Sequence, residues 1–112
     1  MQFTLLLAAA TIAAVAAYDE TTPCSFSELT KLSPVALNPA LITCQDASGW
    51  QMLPPTGYPT ADQRTLMCGE PDCFTLIAAV NATKPADCLL VFSDVSLNVK
   101  KLVDTFEPLC FA

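Results

Sequence analysis

Six cysteines distributed along the chain constrain its fold more strongly than any other feature. They are Cys24, Cys44, Cys68, Cys73, Cys88 and Cys110 of 112 residues. The sequence contains no histidine and no Cys-x-x-Cys pair, which argues against a metal site. In an oxidising compartment, an even number of cysteines in so small a chain is expected to form three disulfides, and 15 connectivities are open to them.

The pattern of residues 1–17 predicts that the chain is secreted through an oxidising compartment. Residues 1–17 carry no charged side chain, and their apolar run is shorter than the roughly 20 residues that span a bilayer. The run ends in Val15-Ala16-Ala17, which puts small side chains where signal peptidase cleaves. We therefore predict a secretory signal peptide over residues 1–17 and one secreted, extracellular domain over residues 18–112. A membrane anchor is the alternative, which the short run disfavours.

The charge balance argues against partners that are strongly anionic. All eleven acidic and all five basic residues follow the first seventeen, and they give a net charge of −6. Nucleic acid and anionic lipid surfaces are both held by clustered lysine and arginine. We therefore expect no nucleic-acid partner and only transient contact with membranes.

The residue types also argue against catalysis. Without histidine the commonest general base is missing, and no serine stands in a Gly-x-Ser-x-Gly turn. Paired cysteines leave no thiolate free. Glu70 and Asp72 are close in sequence, but they suit the N-terminus of a helix better than an acid–base pair. We predict no enzymatic activity, no metal and no cofactor.

Helix start signals predict a mainly helical domain. Asn38-Pro39 is typical of a capped helix start, and Thr60 with Gln63 forms a capping box. Pro71 suits the first turn of a further helix. With the prolines that separate these segments, the pattern predicts about five short helices.

The last of these helices has the clearest amphipathic pattern. Its apolar stripe is predicted to comprise Val99, Leu102, Val103 and Phe106. Its outward-facing residues are predicted to be Lys100, Lys101, Asp104 and Glu107. Ser93 or Asp94 is expected to cap this helix, and Pro108 is expected to end it.

Apolar residues are abundant both in one loop and in the domain as a whole. Residues 50–59 contain three prolines and a glycine, but side chains such as Trp50 require this loop to pack on the domain. Of the 95 residues from position 18 onward, 45 are hydrophobic. This surplus suits an apolar cavity for a lipid, and a well-filled core is the alternative. Asn81 opens an Asn-Ala-Thr sequence and is a candidate acceptor of an N-linked glycan.

The spacing of the cysteines is more informative than their number. Successive cysteines are separated by 19, 23, 4, 14 and 21 residues. Segments between them read Ser-Gly-Trp-Gln-Met-Leu over 48–53, Leu-Met-Cys over 66–68, Pro-Ala-Asp-Cys over 85–88 and Leu-Asn-Val over 97–99. In these segments, and in three of the five spacings, the chain resembles the elicitins, small secreted proteins of oomycetes. The resemblance extends over nearly all of residues 18–112.

This resemblance implies an all-α fold with a small β-hairpin and an Ω loop around a hydrophobic cavity. It implies the disulfides Cys24–Cys88, Cys44–Cys73 and Cys68–Cys110. Elicitins bind sterols, move them between membranes, and many trigger defence and cell death in plants. The implied partners are therefore a sterol or fatty acid and a plant cell-surface receptor. The candidate cavity residues are mostly apolar: Leu53, Tyr58, Arg64, Leu66, Met67, Ile77, Leu102 and Phe106.

Arg64 is the main departure from the family pattern. In sterol-carrying elicitins, a tyrosine that bonds the sterol hydroxyl stands four residues before the third cysteine, which is the position of Arg64 here. Arginine is longer, always charged and only a donor. It either reaches the cavity mouth, where it donates to a hydroxyl or a carboxylate, or faces water. Leu102 stands where the family has a second tyrosine.

Three functional hypotheses follow from the sequence. The favoured one is an elicitin-like protein that binds and transfers a lipid. The second is an effector with a filled core, recognised through its surface by a plant receptor. The third is a small lipid hydrolase, which the absence of histidine disfavours.

Overall fold

The computed structural model of the chain describes residues 17–111. Within them it contains, in order, α1 (Phe26–Thr30), a 3₁₀ helix (Ser33–Leu37), α2 (Pro39–Ser48), α3 (Ala61–Cys68), α4 (Pro71–Ala82), β1 (Leu89–Phe92), β2 (Val95–Asn98) and α5 (Val99–Cys110). The predicted fold class is confirmed: five α-helices accompany one two-stranded antiparallel hairpin in this part of the chain. No helix among the described residues is long and apolar enough to cross a bilayer. The predicted signal peptide lies, except for Ala17, outside the described residues.

The predicted starts of α2 and α3 are confirmed, because the capping chemistry is local. The Asn38 side chain accepts a hydrogen bond from the backbone of Ala40 at 2.9 Å and begins α2. Thr60 and Gln63 cap α3 reciprocally, each side chain accepting from the other residue's backbone N–H. At the end of α2, Gly49 adopts the left-handed conformation, with φ of 76°.

Both predictions about the ends of α5 are wrong. Ser93 and Asp94 form the turn of the hairpin, and the helix is capped by Asn98, whose side chain accepts from the backbone N–H of Lys101 at 3.0 Å. Pro108 lies inside α5, which continues to Cys110. The helix continues past Pro108 because proline removes only one backbone hydrogen bond, close to an exposed helix end. The Cys68–Cys110 disulfide then holds the last turn in place.

The core lies where α2, α4 and α5 meet the loop over residues 50–59. Trp50 and Met52 from this loop are fully buried, and the indole N–H of Trp50 donates to the Gly57 carbonyl at 2.8 Å. The prediction that this apolar loop packs on the domain is therefore confirmed. Leu76 of α4 and Phe106 of α5 are buried in the same core.

Three disulfides join the elements around this core. Cys24–Cys88 ties the N-terminal segment to the start of the hairpin, Cys44–Cys73 joins α2 to α4, and Cys68–Cys110 joins α3 to the end of α5. These are the pairs that the resemblance to elicitins implies. On the chain-entropy model, each closed loop of tens of residues contributes roughly 3–4 kcal/mol by restricting the unfolded chain.

The N-terminal segment, residues 18–24, lies beside the hairpin in space and is held there by backbone and side-chain hydrogen bonds. The backbone N–H of Cys24 donates to the Leu89 carbonyl at 2.7 Å, and the Leu89 N–H donates to the Thr22 carbonyl at 2.7 Å. The Asp19 carboxylate accepts from the backbones of Thr22 and Thr21, and these bonds hold the pKa of Asp19 well below its ordinary value. Because the pKa of Asp19 is lower in the folded state, the hydrogen bonds of its carboxylate stabilise the fold above pH ~4. This stabilisation is lost as the pH falls further.

Asn98 connects this N-terminal segment to the rest of the fold. The side chain is fully buried, and its amide N–H groups donate to the Asp19 carbonyl at 2.8 Å and to an Asp87 carboxylate oxygen at 2.6 Å. Its amide oxygen caps α5, and its backbone N–H donates to the Tyr58 hydroxyl at 2.8 Å. One residue therefore joins four segments that are distant in sequence.

Replacing Asn98 should destabilise the domain more than the loss of a helix cap alone. We expect Asn98→Ala to lower the free energy of unfolding by about 2–4 kcal/mol, since a cap is worth about 1 kcal/mol and a buried partner left unsatisfied costs about 1–3 kcal/mol. Asn38→Ala is the matched control, because it removes a single capping bond and should cost about 1 kcal/mol. Urea unfolding followed by circular dichroism, with disulfides intact, measures both. Equal losses would contradict the linking role of Asn98.

Candidate lipid-binding site

A pocket of about 180 Å³ opens beside α5, between α3 and the end of the loop over residues 50–59. It is lined by Tyr58, Pro59, Arg64, Lys101, Leu102, Thr105, Phe106 and Leu109. Four of the eight candidate cavity residues meet here: Tyr58, Arg64, Leu102 and Phe106. Leu102 and Phe106 are buried and form an apolar floor, whereas Arg64 and Lys101 are partly exposed.

The other four candidate residues do not line this pocket. Leu53 lines a separate cavity of about 200 Å³ beneath the hairpin. Ile77 faces a groove of about 390 Å³ between α4 and α5, to which Phe106 also contributes. Met67 is fully buried in the core, and Leu66, one position earlier on α3, is 54% exposed. Adjacent positions on a helix are rotated by about 100°, so one neighbour faces inward and the other outward.

Four residues of the pocket are not among the candidates that the sequence indicates. Lys101, predicted to point away, lines the pocket together with Thr105 and Leu109. These three are spaced four residues apart and lie beside the stripe that contains Leu102 and Phe106. That spacing was visible in the sequence, but only the packing of the helix determines which flank of its apolar stripe borders a pocket. Pro59, the fourth, carries no comparable signal.

A shallower groove adjoins the pocket along α5. This groove has a volume of about 330 Å³ and shares Lys101, Thr105 and Leu109 with the pocket. It extends toward Tyr18 and Asp104, whose side chains are joined by a hydrogen bond of 3.1 Å. The lining of the two cavities together is predominantly apolar, with charged groups at the rim.

The hydroxyl of Tyr58 is fully engaged by the protein itself. It donates to the Glu20 carboxylate at 3.0 Å and accepts from the backbone N–H of Asn98 at 2.8 Å. Partial burial raises the pKa of Tyr58; the Asn98 N–H opposes that rise, and Glu20 reinforces it. The hydroxyl is thus a poor anchor for a ligand.

Lys101 is neutralised by the N-terminal segment. Its ammonium group lies 3.1 Å from a Glu20 carboxylate oxygen and 5.2 Å from the centre of the Tyr58 ring. The Lys101 charge therefore already has an acidic and an aromatic partner at the pocket mouth.

Arg64 differs from the three lysines that form ion pairs in the described part of the chain. Within residues 17–111, ion pairs join Lys31 to Glu28, Lys100 to Asp104 and Lys101 to Glu20, and the guanidinium of Arg64 takes part in none of them. Arg64 therefore lines an apolar pocket with a charge that no described acid neutralises. The arrangement suits a ligand with an apolar body and an acceptor at one end.

Two further features bear on the predicted sites. Asn81 is exposed in the last turn of α4 and borders the groove between α4 and α5. Among residues 17–111, no group of three or more His, Cys, Asp or Glu side chains is positioned to hold a metal ion.

Comparison with known proteins assigns the chain to a family. A family model described as Elicitin matches residues 23–110. The chain is 38% identical to elicitin-like protein 2 of Pythium oligandrum, over 74% of this chain and 53% of that protein, so it spans about half the length of that relative. It is 33% identical to highly acidic elicitin 20 of Phytophthora cryptogea, over 98% of this chain and 94% of that protein.

A solved structure agrees with the fold. The crystal structure of sylvaticin, a secreted protein from Pythium sylvaticum, matches with a TM-score of 0.81 and 65% sequence identity, covering 84% of this chain and 100% of that one. Since the family match spans most of the chain and the relatives agree with it in sequence and fold, the chain belongs to the elicitin family.

Proposed function

We propose that this chain is a secreted, non-enzymatic elicitin-like protein that binds a sterol or fatty acid in the pocket beside α5, transfers it between membranes, and elicits plant defence. The observation that carries the proposal is the convergence of Tyr58, Arg64, Leu102 and Phe106 on one pocket with an apolar floor. Burial of a ligand's apolar surface there would drive binding, at roughly 25 cal/mol per Å².

The pocket would open as it takes up a ligand. Its volume of about 180 Å³ is below the roughly 300–1,000 Å³ of pockets that enclose drug-sized ligands. Its outer wall includes Arg64, Lys101 and Leu109, of which Leu109 is 49% exposed. Partly exposed side chains change rotamer at little cost, and their movement would join the pocket to the adjoining groove of about 330 Å³.

The residues before and after the expected cleavage point both agree with secretion. Residues 1–17 have the composition of a signal peptide. Immediately after Ala17, the Tyr18 hydroxyl donates to Asp104, and the backbone N–H of Asp19 donates to Asp87. A domain that begins at Tyr18 would keep all of these contacts.

Filling the pocket should weaken ligand binding without unfolding the domain. Thr105→Trp adds bulk inside the pocket and removes only a hydroxyl bond to the Lys101 carbonyl within α5. We expect at least a tenfold loss of affinity for cholesterol and for a fatty acid, measured by equilibrium dialysis. The matched control is Thr75→Trp, at an exposed site on α4 where the hydroxyl makes the same kind of bond to Pro71 and which does not line this pocket.

The outcomes separate the pocket from other sites. Loss in Thr105→Trp alone supports binding beside α5. Equal uptake by both variants would move the ligand to another site, and no saturable uptake by the unmodified protein would overturn lipid carriage altogether.

A second candidate function is recognition of the protein surface by a plant receptor without lipid carriage. It is favoured by the filled core, in which Met67, Leu76 and Phe106 are fully or almost fully buried. Such an effector needs no ligand cavity.

Plant infiltration with the Thr105→Trp protein distinguishes the two candidates. If the ligand is part of the signal, cell death should fall together with lipid uptake, whereas Thr75→Trp should keep both. An undiminished response from Thr105→Trp protein that no longer binds lipid would support surface recognition instead.

We also propose that Asn81 carries an N-linked glycan. Its side chain is exposed at the end of α4, and the Thr83 hydroxyl required by the sequon is present. Protein secreted from a eukaryotic host should lose mass on treatment with an N-glycosidase, and Asn81→Gln should remove that loss. An unchanged mass in the unmodified protein would refute the assignment.

A further inference from the structure

Arg64 combines two properties that no other cation in the described part of the chain combines. It lines an apolar pocket, and none of the ion pairs within residues 17–111 includes it. Lys101 lines the same pocket, but Glu20 neutralises its charge. Lys84 also forms no ion pair there, but it is exposed and lies away from this pocket.

The energetic consequence depends on the head group of the ligand. A partly exposed guanidinium such as that of Arg64 is solvated by water when no ligand contacts it. A ligand seated on Leu102 and Phe106 would displace part of that water, and a neutral ligand would supply no compensating charge. An anionic head group would form charge-assisted hydrogen bonds with the guanidinium, which are roughly twice as strong as neutral ones.

The other polar groups of the pocket do not favour a neutral hydroxyl. The Tyr58 hydroxyl is engaged by Glu20 and Asn98. The Thr105 hydroxyl donates to the Lys101 carbonyl at 2.7 Å within the helix. Among the described residues no acid pairs with the guanidinium of Arg64, whose donors suit a ligand that only accepts hydrogen bonds.

We infer that this pocket selects amphipathic anions over neutral lipids, with Arg64 as the residue that determines specificity. The ligand class is a single apolar tail that ends in one anionic group, with the tail on Leu102 and Phe106 and the head group on Arg64. A carboxylate and a phosphate share this chemistry. The inference rests on the proposed lipid binding at this site and sharpens it, because a neutral sterol becomes the weaker ligand.

Ligands that share one tail test the inference directly. Decanoate, decyl phosphate and decanol carry the same chain with a carboxylate, a phosphate or a neutral hydroxyl, and cholesterol adds a neutral sterol. Equilibrium dialysis at neutral pH should give the unmodified protein at least tenfold higher affinity for decanoate than for decanol, as expected for a hydrogen bond to a charged group. Comparing decanoate with decyl phosphate distinguishes the two anionic head groups.

Variants at position 64 assign the preference to its charge. Arg64→Gln should lower decanoate affinity about tenfold without lowering decanol affinity, because it removes the charge that a neutral ligand leaves uncompensated. Arg64→Lys should keep part of the preference. Lys84→Gln is the matched control, because it removes one positive charge at an exposed site outside the pocket and should change neither affinity. Circular dichroism establishes that each variant is folded.

Each outcome bears on a different claim. Equal affinity for decanoate and decanol, or an Arg64→Gln protein with an unchanged preference, would overturn the inference while leaving lipid binding intact. Failure of decanoate, decyl phosphate, decanol and cholesterol alike to bind would overturn the proposed lipid binding as well.

Discussion

The hydrogen bonds of Asn98 form the constraint on which much of the remaining structure depends. Its buried side chain joins the N-terminal segment at Asp19 to Asp87, just before the hairpin, while it also caps α5. Its backbone N–H fixes the Tyr58 hydroxyl at the end of the loop over residues 50–59. Asn98 therefore holds the loop over residues 50–59 and α5, which both border the pocket, against the N-terminal segment. The disulfides restrict the chain around it.

How far the sequence predicts the structure depends on the range of the interaction concerned. The caps at Asn38 and Thr60 were predicted, because a cap involves residues within one helical turn. The cap of α5 was not, because choosing Asn98 over Ser93 requires knowing that β1 and β2 pair. The cysteine spacing indicated the family and, through it, the hairpin and the disulfide pairs. Among the candidate site residues, the sequence alone does not determine which of Leu66 and Met67 faces inward, because the rotation of α3 about its axis is determined by tertiary packing.

Of the two cationic side chains that line the pocket, Lys101 has an acidic partner and Arg64 has none among the described residues. The acidic chain supplies partners for Lys31, Lys100 and Lys101, and the Lys101–Glu20 pair links the N-terminal segment to the pocket rim. Exposed pairs of this kind contribute only about 0–1 kcal/mol each. Their larger effect is on the local charge, since Lys101 is neutralised whereas Arg64 at the same pocket is not. The net charge of −6 therefore says little about the charge that a ligand would meet there.

Different residues of the same pocket therefore contribute to folding stability and to ligand preference. Tyr58 and Lys101 are bound into the Asn98 network through its backbone N–H and through Glu20, so changing them disturbs the fold as well as the pocket. Arg64 lies on α3, which is anchored by its own capping box and by the Cys68–Cys110 disulfide, and its charge belongs to no ion pair among the described residues. A substitution at position 64 can therefore alter the head group that the pocket favours at little cost in folding free energy.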